Sequence, residues 1–298
     1  MSTWVGALRT ATRWSLTRTV VRRLPWSATV AMGVLVVLGL ATALADVVRP
    51  LDSYTVDFQK SLRPPTWAHP LGTDDLGRDV LARVLHGLRV SFLVGVLASL
   101  VALGIGGVVG ITAGTLGGRV DAVLMRFLDM FASQNHLLFG IILAVLFRPA
   151  FGPMGAVLLS VGLTHWTTLA RIVRGELLSL RERLFIRAAV QNGAGRLHLA
   201  RRHYIPHLLP ALVLGFVLLV PHAVFHESAL SFLGVGLSPH QASLGNILAD
   251  SRRTLLVGAW WTTVFPGLAL FLVSMAIGVV GEYWRDRHNP RWRSELEL

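Results

Sequence analysis

The sequence predicts an all-α polytopic membrane protein with about six transmembrane helices, and three observations carry that expectation. Of 298 residues, 53% are apolar and only 15% charged, with a mean hydropathy of +0.59; a soluble domain carries about 25% charged residues. Uncharged stretches long enough to cross ~30 Å of hydrocarbon at 1.5 Å per residue recur along the chain. The arginines concentrate in particular connecting segments, as the positive-inside rule requires of a membrane protein. Disorder is excluded, because it needs low hydrophobicity.

Residues 1–27 carry Arg9, Arg13, Arg18, Arg22 and Arg23 without an acid and are expected to form a cytoplasmic N-terminal segment. Apolar stretches follow at 28–45, 90–118, 130–147, 149–170, 203–226 and 254–281. The fifth is placed at 208–230, because Pro206, His207 and Pro210 suit an interface better than a membrane core. The 46–89 segment balances six acids with six bases and is expected outside. The 228–253 interval, with its Gly, Pro, Ser and Gln, reads as a loop or re-entrant segment.

One membrane domain thus spans 28–282, with a cytoplasmic segment at 171–210 and a cytoplasmic tail at 283–298. Two arginines in 119–126, eight in 171–202 and four in the tail join those of the N-terminus. Both ends are therefore expected in the cytoplasm of a bacterium, with the chain in its inner membrane among lipid. This asymmetry explains the net charge of +12 without nucleic acid as a partner. Trp26, Trp67, Trp260 and Trp261 near span ends read as an interfacial belt.

Some chemistries are excluded outright. Cysteine is absent, so thiolate sites and disulfides are too. The single lysine, Lys60, follows Gln59 and not a glycine, so the chain has no Walker A loop.

The 171–210 segment is the most informative. Leu177, Leu180, Leu184 and Ala188 fall at helical spacing on one face. Gly193 and Gly195 break that helix, and 196–203 forms a second short one before Pro206 stops it. Such a surface has little to pack on within the chain and suits a partner protein. Thr73, Asp74 and Asp79 beside Gly72 and Gly77 read as a turn capping a helix that begins near Leu76. Arg126 and Asp129, three apart, are placed to pair on one helix.

The strings Arg187-Ala188-Ala189, Gly193 and Ile205-Pro206 resemble the cytoplasmic signature of binding-protein-dependent ABC importer permeases. In that family the pattern begins with glutamate, where this chain has Arg187. Further strings resemble the dipeptide/oligopeptide/nickel branch: His69 to Asp74, Gly77-Arg78-Asp79, Gly117 to Asp121, Ser231 to Gly234, Phe265-Pro266-Gly267 and Arg285-Asp286 before Pro290. The resemblance runs from Leu71 to Pro290 and is nearest to the second permease of a pair. It implies a type I ABC importer permease fold, in which Arg187, Ala188, Ala189, Gly193, Ile205 and Pro206 couple to an ATPase. Gly72, Thr73, Asp74, Gly77, Arg78 and Asp79 carry the family signature. The implied partners are a homologous permease, two ABC ATPases that hold ATP and magnesium, and an extracytoplasmic solute-binding protein. The chain itself would bind no cofactor and catalyse no reaction.

His165, near the middle of the fourth span, and His222, His226 and Glu227 on the fifth are ionisable groups of a kind that usually faces a cavity or the bundle interior. His222 and His226 lie one helical turn apart. They resemble features of the nickel-importing members, and imidazole suits nickel. The expected cargo is therefore nickel or a nickel chelate, with His222 and His226 as transient ligands and di- or oligopeptide import as the alternative. An intramembrane metalloenzyme is a more distant reading. Its zinc-protease form fails because position 230 is Leu230, not histidine.

Overall fold

The computed structural model describes residues 25–50 and 56–288. Part of the expected arginine asymmetry, in the first 24 residues and beyond 288 with Pro290, lies outside them. The described chain is helical, apart from one isolated bridge between Thr73 and Asp79. In order the helices are α1 (Trp26–Ala43), α2 (Ala45–Val48), α3 (Val80–Leu116), α4 (Gly118–Ala132) and α5 (His136–Arg181). There follow α6 (Leu184–Gln191), α7 (Arg196–Leu199), α8 (Ile205–Phe232), α9 (Leu244–Leu256) and α10 (Trp261–His288).

Among the described residues five helices are long and apolar enough to cross a membrane, where the hydropathy reading expected six stretches. The difference lies in α5, whose continuity is broken at Gly152 (φ 67°, ψ 177°). Ser160 Oγ donates to Gly140 O at 2.6 Å, although residues twenty apart on a straight helix stand about 30 Å apart. The chain therefore doubles back at Gly152. Arg171 meets Asp129 at 2.7 Å and Arg174 meets Asp121 at 2.5 Å, so α4 and the first leg of α5 run antiparallel to the second leg. Two of the expected stretches, 130–147 and 149–170, are the legs of this hairpin. Asp129 pairs with Arg171, not with Arg126 as helical spacing suggested.

Close packing joins the hairpin to α3. A Cβ built on Gly106, Gly110 or Gly114 would lie 2.7, 2.7 or 2.9 Å from Trp166 O, Ala170 O or Leu177. Small residues let helix backbones approach where no hydrophobic drive separates lipid from protein. A core of Val80, Val84 and Leu88 from α3, Val220 and Val224 from α8, and Leu270 and Val273 from α10 closes the other side.

Three local expectations change. The helix expected near Leu76 starts at Val80, because Asp79 is the residue that caps it, accepting from Ala82 N at 3.1 Å. The 228–253 interval contains α9, capped by Ser243 through Asn246 N at 3.2 Å. Pro206 does not stop a helix. Arg196–Phe232 is one continuous span-length helix, with a π-turn over Ala200–Tyr204 and Pro206 in the first turn of α8, where a missing N–H costs least.

Candidate functional site

The 56–79 loop, part of the segment expected outside, is built around Asp74. Its Oδ1 accepts from Leu76 N (3.0 Å) and Arg78 N (2.8 Å), and its Oδ2 accepts from Arg78 Nε (2.7 Å) and Arg83 Nη1 (2.8 Å). Those four bonds fill the acceptor capacity of a carboxylate. Arg83 reaches on to Asp250 of α9 at 2.8 Å, and Arg78 approaches it at 3.6 Å. Thr73 donates from Oγ1 to Lys60 O, and its own carbonyl accepts from Trp261 Nε1 at 3.0 Å. Trp261 is therefore buried in α10 and ties down this loop; it is not part of an interfacial belt, whereas Trp26 and Trp67 are exposed. Asp79 also holds His69 Nδ1 at 2.9 Å and Arg49 at 3.7 Å.

Gly72 and Gly77 both adopt positive φ here. A Cβ on Gly72 would fall 2.7 Å from the Trp261 ring and 2.8 Å from Arg63 O, so no other residue fits. The six signature residues thus build a rigid plug on α3, α9 and α10. Sequence reasoning found Thr73 and Asp74 but missed what holds them: Arg83 on Asp74, Asp250 on Arg83, and Trp261 on the Thr73 carbonyl 188 residues away.

The opposite end is different. The four apolar residues expected on one helix face do not share a helix: Leu177 belongs to α5 and is buried, while Leu184 opens α6 and is 84% exposed. Helix α6 ends in a Schellman motif. Gly193 takes φ +84°, Ala194 N donates to Ala189 O and Gly193 N to Val190 O, each at 3.0 Å. Of α6 only Ile186 is buried, against Val173, Leu177, Leu199, Tyr204 and Leu208. Leu184, Phe185, Val190 and Leu197 are exposed, and so are Arg187, Ala188, Ile205 and Pro206. Arg187 is ion-paired with Glu182, both exposed. A cavity of about 500 Å³ lies beside them, with Arg181, Arg187 and Arg196 on its wall.

Between these ends lie the intramembrane polar groups. Glu227 is fully buried, its carboxylate taking Ser231 Oγ at 2.8 Å and Ser228 Oγ at 3.2 Å. The hydroxyls of Ser91 and Ser243 complete the ring. A buried carboxyl is tolerated only when so partnered, and its hydrogen-bond partners are serines. His165 of α5 meets His226 of α8 edge to face at 4.6 Å between ring centroids. His136 stacks on His165 at 5.7 Å; sequence spacing could not reveal it, because only the hairpin brings 136 beside 165. His222 is exposed and its Nδ1 lies 3.1 Å from Leu218 O. Among the described residues no group of three or more His, Asp or Glu side chains is arranged to hold a metal ion.

A family model for binding-protein-dependent transport system inner membrane components matches residues 106–294. The dipeptide transport system permease protein DppC of Bacillus subtilis (strain 168) is 37% identical over 230 residues, covering 77% of this chain and 71% of that protein. A putative peptide permease protein of Brucella suis biovar 1 is 37% identical over 244 residues, covering 81% of this chain and 80% of that one. Among solved structures, a chain of an inward-facing MetNI methionine ABC transporter superposes with a TM-score of 0.45 at 19% identity, covering 66% of this chain and 95% of that one. That likeness is too distant to carry an argument.

Proposed function

This chain belongs to the binding-protein-dependent transport system inner membrane components, and on that premise we propose that it is the permease subunit of an ATP-driven importer carrying di- or oligopeptides inward. The observation that carries the cargo is the 37% identity to a dipeptide permease over 77% of the chain. The nickel reading drawn from His222 and His226 gives way to it, since both relatives are named for peptides.

The other parts of the reading follow from the two ends. The exposed apolar rim of Leu184, Phe185, Val190 and Leu197 suits an ATPase subunit in the cytoplasm, because exposed apolar clusters at such a position call for a covering protein. Arg187, Ala188, Ala189 and Gly193 lie in or just after α6, and Ile205 and Pro206 form the adjoining turn of α8. The plug formed by 56–79 faces outward, where a solute-binding protein delivers cargo. A second, homologous permease completes the pathway, and ATP with magnesium is held by the two ATPases. Both termini are cytoplasmic in this arrangement.

Uptake by the assembled complex tests the reading. Proteoliposomes holding both permeases, the ATPases and the binding protein should accumulate labelled dipeptide only with ATP, and should not accumulate labelled nickel. Nickel accumulation without peptide accumulation would reverse the cargo assignment.

A further inference from the structure

Resting on the peptide reading, we propose that the exposed face of α8 from His222 to Phe232 is a track for a short zwitterionic peptide. The Arg252 guanidinium receives its carboxylate, and the imidazoles of His136, His165 and His226 receive its ammonium.

Arg252 is the first observation. It is exposed on α9, its guanidinium carbon lies 3.8 Å from the centroid of the Phe232 ring, and it has no carboxylate partner among the described residues. Its neighbours Arg78 and Arg83 each hold Asp250. A cation in a span-rich region faces water, a cavity or a partner charge. Beside it opens a cavity of about 340 Å³ lined by Phe225, Phe232, Leu248 and Leu270, with Thr263 at the wall. The Thr263 hydroxyl has no protein partner. A guanidinium at the rim of an apolar hollow fits a carboxylate that carries an apolar side chain.

The imidazoles are the second. His165 Nδ1 lies 3.0 Å from Val161 O, and His222 Nδ1 lies 3.1 Å from Leu218 O. A carbonyl can only accept, and the Thr164 hydroxyl, 2.9 Å from His165 Nδ1, has its own hydrogen on Val161 O, so Nδ1 carries the proton and Nε2 is left as an acceptor. Rings at 5.7 and 4.6 Å join His136, His165 and His226. An ammonium, which only donates, is the complement of the free Nε2 acceptors of His165 and His222, and the rings of His136 and His226 flank the first of them.

The spacing is the third. At 100° per residue, His222, Phe225, His226, Ala229 and Phe232 fall within about 120° of one helix face. The Phe225 and His226 rings are 6.5 Å apart, which makes the aromatic surface continuous into the cavity. Six residues of α8 separate His226 from Phe232, about 9 Å along the axis. An extended peptide of two or three residues spans about 7–11 Å. Both ends of the peptide are matched at once.

The test uses the reconstituted transporter with its binding protein. Uptake is measured for the tripeptide Ala-Phe-Ala, its C-terminal amide and its N-acetyl form. Dividing wild-type rate by variant rate for each peptide cancels the preference of the binding protein. Arg252→Gln should lower free-acid uptake at least fivefold and amide uptake less than twofold, while Arg252→Lys restores most of the difference. His226→Phe should lower uptake of the free-ammonium peptide more than that of the N-acetyl peptide. The amide is the internal control for folding. Equal loss of free acid and amide, as expected if Arg252 instead holds an anionic lipid headgroup, would overturn the track, and so would no loss of either. A wild-type complex that imports the tripeptide but ignores Arg252 refutes the track alone. One that imports no peptide in any form refutes the peptide reading and the track together.

Discussion

The 56–79 loop and the segment that carries α6 and α7 have opposite constructions. At the outer end, Asp74 and Arg83 are each 5% exposed, and the loop is closed by bonds to α3, α9 and α10. At the inner end, the Arg187–Glu182 pair is 60% and 72% exposed, and most of the apolar residues of α6 face outward. One end satisfies its own charges and is tied down by the buried Trp261 of α10. The other leaves its apolar surface exposed, as the proposed docking to an ATPase subunit requires. The difference lies in how many contacts come from within the chain, not in how well each helix is formed.

Breaking the outer end should have the largest effect. Arg83→Ala removes one of the two arginines that hold Asp74 and the nearer of the two at Asp250. Losing one partner of a buried ion pair costs about 3–5 kcal/mol, and Arg78, which stays on both carboxylates, keeps the loss toward the lower figure. Membrane abundance and thermal stability in detergent should both fall sharply. The same truncation at Arg187 touches only an exposed pair, worth about 0–1 kcal/mol. Comparable losses for the two variants would erase the contrast.

Gly193→Glu comes next. The left-handed conformation costs a non-glycine residue about 1–2 kcal/mol, and nothing lies within 4 Å of the added Cβ. Insertion should remain intact while transport is abolished and ATPase association weakens. Normal uptake at normal abundance would remove the coupling role. Leu184→Asp should leave stability in detergent within about 0.5 kcal/mol, as surface changes usually do, yet reduce copurification of the ATPase. A large stability loss there would mean that the chain itself already covers this face.

The spans were legible because hydropathy is a local property, and the six apolar stretches reappear with Gly152 as the turn between two of them. The caps of α3 and α9 were legible in principle, since Asp79 and Ser243 are ordinary N-cap residues; the Gly- and Pro-rich context around Ser243 masked the second. The Arg83–Asp250 link and the His136–His165 contact were not legible. Each depends on how helices pack, and spacing along one helix carries no information about a neighbour. The expected Arg126–Asp129 pair failed for that reason too. Local geometry allowed it, but the antiparallel hairpin presents Arg171 to Asp129 instead.

The most direct measurement of the unfinished inner surface uses the natural absence of cysteine. A single cysteine at Leu184, modified by a thiol reagent, reports whether that surface is covered. The rate should be high in the isolated permease pair and at least tenfold lower once the ATPase subunits are bound. An unchanged rate in the active, assembled transporter would contradict the assignment of α6 as the docking element.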